Sequence, residues 1–460
     1  MEINPVIFRA YDIRGIVDSQ LTPEIMIEIG KGLGSLTLET GQKALICGRD
    51  GRLTSPVLME NLQKGILSTG CNIIDIGVVP SPLVYFAASN LTSNCGIVVT
   101  GSHNPPEYNG VKMMMNASAL SPEQIQDLYQ RILKKNFKVG QGNKTEHDIR
   151  DEYIKAVCEN VPLKRKLKIV VDCGNAMAGI IAPTLYQKMG CEVIALYPEV
   201  DGHFPHHHPD PSIPENLQDL ISAVKKHKAD IGLAFDGDAD RLGVVTNMGE
   251  TIWPDRQLIL YALDILKDNP GANIVYDVKC SSHVKTMVEQ HGGKPIMWKT
   301  GHSLVKAKLR ETGALLAGEM SGHVFFKDKW YGFDDAIYCG ARLLAILADD
   351  LRSSHEIFAD IPDSINTPEL KLPVDENVKF DLMQRLLNKA NFPDADVSTI
   401  DGLRVDFADG WGLVRPSNTT PYLILRFEAD DEKALNAIKK RFAEFLLAED
   451  ATLQLPFQYL

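Results

Sequence analysis

The chain has 460 residues, more than one hydrophobic core accommodates, so several domains are expected. Its 44% hydrophobic and 23% charged content is ordinary for a globular chain, and a net charge of −12 argues against nucleic acid or an anionic membrane surface as the main partner. An anionic small substrate stays open, because a local cationic pocket can sit in an acidic protein.

The eight cysteines form no Cys-x-x-Cys pair and read as reduced, buried thiols, not as a disulfide frame or zinc site. Residues 1–5, Met-Glu-Ile-Asn-Pro, lack the basic and apolar regions of a signal peptide, and no apolar run reaches about 18 residues. A cytoplasmic protein with no membrane partner is expected.

In chain order, the pattern strand, helix, strand, helix, strand occurs three times. The first set has predicted strands at 44–48, 72–75 and 96–100, the second at 168–172, 192–195 and 231–235, and the third at 273–277, 295–298 and 314–317. Leu217, Leu220, Ile221 and Val224 illustrate the helical spacing between strands, and Leu343, Leu344, Ile346 and Leu347 read as helix core. Such alternation predicts parallel or mixed α/β sheets. Repetition at this length means copies of one domain, each able to close its own core. From about Asn366 the pattern changes to strands ending at Phe407, at 411–414 and at 422–427, followed by a helix over 432–447, a smaller α+β unit.

The segment after each third strand is unusual. The first strand of this kind leads into Thr100-Gly101-Ser102-His103-Asn104-Pro105, which puts a hydroxyl on a tight loop at a strand end, with Gly101 freeing the backbone. A hydroxyl so placed is a candidate carrier of a covalent group; the bland alternative is a polar strand-to-helix turn. The second leads into Asp236-Gly237-Asp238-Ala239-Asp240-Arg241, whose alternating carboxylates suit Mg²⁺. An EF-hand is disfavoured, because Arg241 stands where it needs Gly and Asn247 where it needs a bidentate Glu. An aspartyl phosphatase with Asp236 as nucleophile is the serious rival, and a solvated acidic turn the weakest reading. The third leads into Gly318-Glu319-Met320-Ser321-Gly322-His323, in which Glu319 and Ser321 alternate and can address a pair of sugar hydroxyls. In the last unit, Arg415-Pro416-Ser417-Asn418-Thr419-Thr420-Pro421 has the composition of a metal-free phosphate cradle or, taken alone, of an ordinary hairpin loop. His203, His206, His207 and His208, interleaved with prolines, read as a structural loop, and Lys164-Arg165-Lys166 as a solvated boundary.

Together the four motifs resemble the α-D-phosphohexomutases, in particular their bacterial phosphomannomutase/phosphoglucomutase branch. The segments at 8–15, 109–112, 204–211 and 333–335 are similar too. The resemblance implies an α/β fold of four domains, three similar α/β domains plus a smaller C-terminal α+β domain around a central cleft. The expected boundaries are 1–148, 149–252, 253–365 and 366–460.

It further implies an isomerase moving a phosphoryl group between the 1- and 6-positions of mannose and glucose phosphates, through a phosphoserine and a hexose 1,6-bisphosphate. Ser102 would be the phosphoserine, with Asp236, Asp238, Asp240 and a phosphate oxygen on Ser102 binding Mg²⁺. Tyr11, Arg14, His103 and Lys112 would line the catalytic end, with Arg241 and Lys279 near the reacting phosphate or sugar. Glu319, Ser321 and His323 would read the hexose, with His302 nearby, and Arg415, Ser417, Asn418 and Thr419 would hold the non-reacting phosphate. Lys112, His103 and His323 are the base candidates. Ala239 lies where the family varies. Met320 and Asn418 fit this branch; a phosphoglucosamine mutase, which typically has Gly in the Asn418 place, is the runner-up. A monomer acting on hexose phosphates is expected.

Overall fold

The computed structural model describes residues 3–376, 378–417 and 420–458. Four sheets follow one another along the chain. The first three share one plan. A first strand lies central (Ala44–Arg49, Lys168–Asp172, Asn273–Asp277), flanked in parallel by the second (Asn72–Val78, Glu192–Leu196, Lys294–Trp298) and the third (Gly96–Val99, Ile231–Phe235, Leu316–Gly318). The central strands are almost continuously apolar because helices cover both faces, as parallel sheets require.

Each third strand then turns back into an antiparallel partner: Tyr108–Met115, Leu242–Thr246 and Val324–Phe326. The unusual motifs are therefore strand-to-strand connections. The serine loop is therefore not a strand-to-helix turn. A hairpin held by ladder hydrogen bonds at both ends presents its loop more rigidly than one strand end would. The fourth sheet is wholly antiparallel, with Leu403–Phe407, Gly410–Pro416 and Tyr422–Ala429 at its heart and the helix Glu432–Glu449 packed on it.

One buried core runs from the helix Ser81–Asn90 through the second and third units, and the fourth unit has its own. Leu343, Leu344 and Leu347 are buried in the helix Ala336–Asp349, as their spacing predicts. Arg165 departs from the expected solvated boundary. Its guanidinium donates to Leu347 O (2.8 Å) and Asp350 O (3.1 Å), capping that helix's carbonyl end, while Lys164 and Lys166 make surface pairs. The fourth sheet grips the 278–282 segment of the third unit. Arg404 donates to Val278 O and Cys280 O, both at 2.8 Å, and Glu428 accepts from Ser281 and Ser282. All eight cysteines are free thiols. Among the described residues, no helix is long and apolar enough to cross a membrane.

Asp335 caps the helix Ala336–Asp349 by accepting from Tyr338 N (3.0 Å). It also accepts from Tyr153 OH (2.9 Å) and Trp330 Nε1 (3.2 Å), joining the second unit to the third. Burial, outweighing these hydrogen bonds, pushes its carboxyl up to about 7. The folded chain thus holds a proton that the unfolded chain has released above about pH 4. The stability this proton confers is complete below that pH and is lost as pH rises through 7. Asp335→Asn keeps the polar shape without the charge. Its melting temperature relative to wild type is expected to rise by about 2 °C or more between pH 5 and pH 8. A pH-independent difference in thermal scans would refute the raised carboxyl.

Candidate functional site

The three hairpin loops converge. Ser102 is a buried non-glycine residue in the left-handed region, with φ 48°. Its Oγ donates to Asp236 Oδ2 at 3.1 Å and lies 3.1 Å from His103 Nδ1. The unusual backbone is at Ser102 and not at Gly101, contrary to the sequence reading. Glycine is needed at 101 for another reason: a Cβ there would stand 2.3 Å from Arg52 Nε. A left-handed serine costs roughly 1–2 kcal/mol, which its surroundings must offset.

The second loop is the hub. Asp236 Oδ1 accepts from Asp240 N (3.0 Å) and Arg241 N (3.1 Å), folding the loop on itself around Ala239, whose φ is 59°. Asp236, Asp238 and Asp240 are buried and present carboxylate oxygens within 4.8 Å of one another. Lys112 from the first unit places Nζ 2.6 Å from Asp238 Oδ2 and 2.5 Å from Asp240 Oδ2. Although burial opposes its charge, these two carboxylates hold the Lys112 pKa well above the usual lysine range. Burial, followed by the charges of Asp240 and Asp238, pushes Asp236 well up. Asp238 Oδ1 and Asp240 Oδ1 are buried and have no hydrogen-bond partner among the described residues. Buried carboxylate oxygens without a donor, in a cluster of three carboxylates, fit a hard divalent cation.

The third loop docks on the second through an isolated antiparallel bridge between Arg241 and His323. Arg241 Nε donates to His323 Nε2 at 3.1 Å, and His323 Nδ1 stands 3.3 Å from Asp334 Oδ2. His302 Nδ1 lies 3.8 Å from the same carboxylate, which Lys306 holds at 2.8 Å. Glu319 accepts from Gly301 N, and Ser321 Oγ points back to Glu319 Oε2 at 3.4 Å, so the two share one side. Burial raises the Glu319 carboxyl. Tyr11 donates to Thr300 O (2.9 Å), and Arg14 pairs with Asp12 (2.5 Å) and reaches Asn104 Oδ1 (3.3 Å).

Lys279 and Arg415 are paired with carboxylates. Lys279 Nζ meets Glu369 Oε1 at 2.5 Å, and Arg415 Nε donates to Asp401 Oδ2 at 2.9 Å. Asp401 also accepts from Thr300 N, so the fourth unit's loop meets the third unit's. Ser417 Oγ accepts from Thr420 N and Thr420 Oγ1, bracing the turn. Asn418 and Thr419 lie outside the described residues. Between the second, third and fourth units opens a cavity of about 690 Å³ whose lining includes Arg241, Lys279, Lys371, Arg426, Ser321 and Glu369. Four cations against one carboxylate in this group make it a cationic pocket in an acidic protein.

The carboxylate partners Asp277, Asp334, Glu369 and Asp401 escape sequence reasoning. Only Asp334 carried a signal, as part of the 333–335 segment, and that segment assigned it no task. The histidine loop does act structurally: His206 meets Asn175 Oδ1 (2.7 Å), His207 meets Asp172 (3.1 Å) and His208 meets His103 O (2.6 Å).

Comparison with known proteins matches this layout. Family models of phosphoglucomutase/phosphomannomutase cover the chain in order: α/β/α domain I over residues 5–139, domain II over 151–249, domain III over 253–365 and the C-terminal domain over 369–445. The chain is 52% identical over 451 residues to a phosphomannomutase/phosphoglucomutase of Pseudomonas aeruginosa, covering 98% of this chain and 97% of that protein. It is 50% identical over 440 residues to a phosphoglucomutase of Neisseria gonorrhoeae, covering 95% of each. A crystal structure of a phosphoglucomutase/phosphomannomutase family protein from Burkholderia thailandensis superposes with a TM-score of 0.95 at 50% identity, covering 99% of this chain and all of that one. With four domain models matched in sequence and half the residues identical across nearly its whole length, the chain belongs to the phosphoglucomutase/phosphomannomutase family.

Proposed function

We propose that the chain is a hexose-phosphate mutase that interconverts 1- and 6-phosphates of glucose and mannose through a phosphoserine at Ser102. The contact that carries this reading is Ser102 Oγ at 3.1 Å from Asp236 Oδ2, where the hydroxyl loop meets the carboxylate loop. In the first half-reaction the P–Oγ bond of phosphoserine 102 breaks. A bond forms to the free hydroxyl of the sugar monophosphate, whose proton passes to a base. The hexose 1,6-bisphosphate then reverses in the cleft and returns its other phosphate to Ser102. Asp236, Asp238 and Asp240 would hold Mg²⁺, which when bound supplies charge neutralisation at the phosphoryl oxygens. Arg241 and Lys112 add positive charge at the same place. Lys112 Nζ, 2.6 Å from Asp238 Oδ2 and 2.5 Å from Asp240 Oδ2, brings its charge to the same loop. Burial and the cations Arg241, Arg14 and Lys112 hold His103 well below the usual histidine range, so it is neutral and able to accept a proton.

Glu319 and Ser321, on one side of their loop, suit two adjacent ring hydroxyls, and Arg415 with its loop suits the distal phosphate. Arg415 must exchange Asp401 for phosphate, and Lys279 must exchange Glu369 for substrate. The aspartyl phosphatase reading is disfavoured because Asp236 is buried and engaged by Ser102 Oγ, Asp240 N and Arg241 N. Eight free thiols fit a reducing compartment such as the cytoplasm.

Ser102→Ala is expected to remove phosphate from the peptide spanning residue 102 and to cut turnover about a thousandfold or more. Mass spectrometry that found the phosphate on Asp236 would establish the phosphatase reading instead. Asp238→Asn should weaken Mg²⁺ activation and leave the circular dichroism spectrum unchanged; full activity of the wild-type protein in excess chelator would sink the metal assignment. Substrate must bind in two opposite orientations, and no motif addresses the 2-position. Efficiencies for glucose 1-phosphate and mannose 1-phosphate are therefore expected to lie within about a hundredfold of each other, since one unread hydroxyl contributes at most a few kcal/mol. Glucosamine 1-phosphate should be poorer than both in coupled assays primed with glucose 1,6-bisphosphate. A clear preference for it would move the chain to the phosphoglucosamine branch.

A further inference from the structure

We infer that Arg52, braced by Asp50 and by the histidine loop, is a positioning residue that holds Ser102 in its reactive conformation; this rests on Ser102 being the phosphoryl carrier. Arg52 is buried and never reaches the cleft. Its Nη1 donates to Pro105 O (2.8 Å) and Tyr108 O (3.2 Å), and its Nη2 to Ser102 O (2.9 Å) and to Asn104 O. One guanidinium thus gathers four carbonyl oxygens of the serine loop. Asp50 completes the clamp: Oδ2 accepts from Gly101 N (2.9 Å) and lies 3.6 Å from Arg52 Nε, while Oδ1 accepts from Arg52 N (3.0 Å) and Ser55 Oγ (2.5 Å).

The second unit closes the clamp from the other side. Phe204 lies under the Arg52 guanidinium at 5.5 Å, and four residues later His208 Nε2 donates to His103 O at 2.6 Å. Gly237 packs so closely that a Cβ there would meet Ser102 O at 2.2 Å. The carbonyls of residues 102 to 105 are therefore all taken by cationic or imidazole donors that do not contact Ser102 Oγ.

The chemical consequence concerns charge. A phosphoserine carries close to two negative charges, and a carbonyl oxygen turned towards it would repel it. Arg52 draws these oxygens to the back of the loop and offsets the left-handed backbone at Ser102. Only a planar fork of five donors spans four acceptors; a lysine ammonium, a point donor, does not. The His-Pro segment 203–208, otherwise without a catalytic task, becomes the strut that carries the second half of the clamp.

The test compares Arg52→Lys, Arg52→Ala, His208→Ala and His208→Gln with wild type and Ser102→Ala, using glucose 1-phosphate. For Arg52→Lys, kcat should fall about a hundredfold, the effect of a roughly 1 Å misplacement, with KM within about threefold. Ethylguanidinium should restore Arg52→Ala turnover at least tenfold and leave wild type unchanged. His208→Ala should lose about tenfold in kcat, and His208→Gln, which keeps a donor, should recover most of it; this pair decides the matter if the Arg52 variants do not fold. Unchanged kcat in folded Arg52→Lys, a rise in KM alone, or turnover that tracks the folded fraction without rescue overturns the inference. An active Ser102→Ala would instead remove the phosphoserine reading, so the two failures are distinguishable.

Discussion

Three buried carboxylates on one turn are the constraint around which this molecule is arranged. At 4.8 Å and an effective dielectric of 20, each pair of ionised groups repels by roughly 3–4 kcal/mol. A local loop cannot sustain that alone. Lys112 comes from the first unit, and Arg241, at the loop's own end, is steadied by His323 of the third. The helix Ser81–Asn90 begins on the loop, with Ser81 N donating to Asp238 O and Ser81 Oγ to Asp238 Oδ2. Met177 N reaches Gly237 O, and Ala336 N reaches Ala239 O. The contacts that bury the charge are thus also contacts between the first three units.

The same logic explains why so many binding cations are already paired. Lys279 with Glu369 and Arg415 with Asp401 are buried or partly buried ion pairs, in which desolvation competes with attraction. Thr300 ties these elements together: its N–H serves Asp401 of the fourth unit, its carbonyl serves Tyr11 of the first, and its hydroxyl serves Asp277 of its own. One residue thereby touches three units.

The repeat has a further consequence. Each unit sends its third strand into an antiparallel hairpin, so three copies of one plan deliver three chemically different loops to one place. A hydroxyl, a carboxylate cluster and a lone glutamate differ only in the residues at the hairpin tip. The fourth unit, antiparallel throughout, brings Arg415 and Ser417 from the strand Gly410–Pro416 and the residue after it.

By itself the sequence determined the repeat, the class of each sheet, the four motifs and most of the side chains that meet in the cleft. The repeat and the motifs are local properties, namely apolar periodicity, turn residues and the clustering of acids within six positions, whereas Tyr11, Arg14, Lys112, Lys279 and His302 follow only from the family resemblance. Even so, local reading misplaced the strained residue, choosing Gly101 over Ser102, because the glycine's reason is a neighbour, Arg52, that lies far away in sequence. Only the tertiary structure decided the pairings. Ser102 and Asp236 are separated by 134 positions and Lys112 and Asp238 by 126, and no periodicity links them. It also decided which charges are offset and by what, adding Asp334, Glu369 and Asp401 to the site. Their partners are set by how the four cores stack, since a buried charge takes whatever counter-charge the packing brings within about 4 Å.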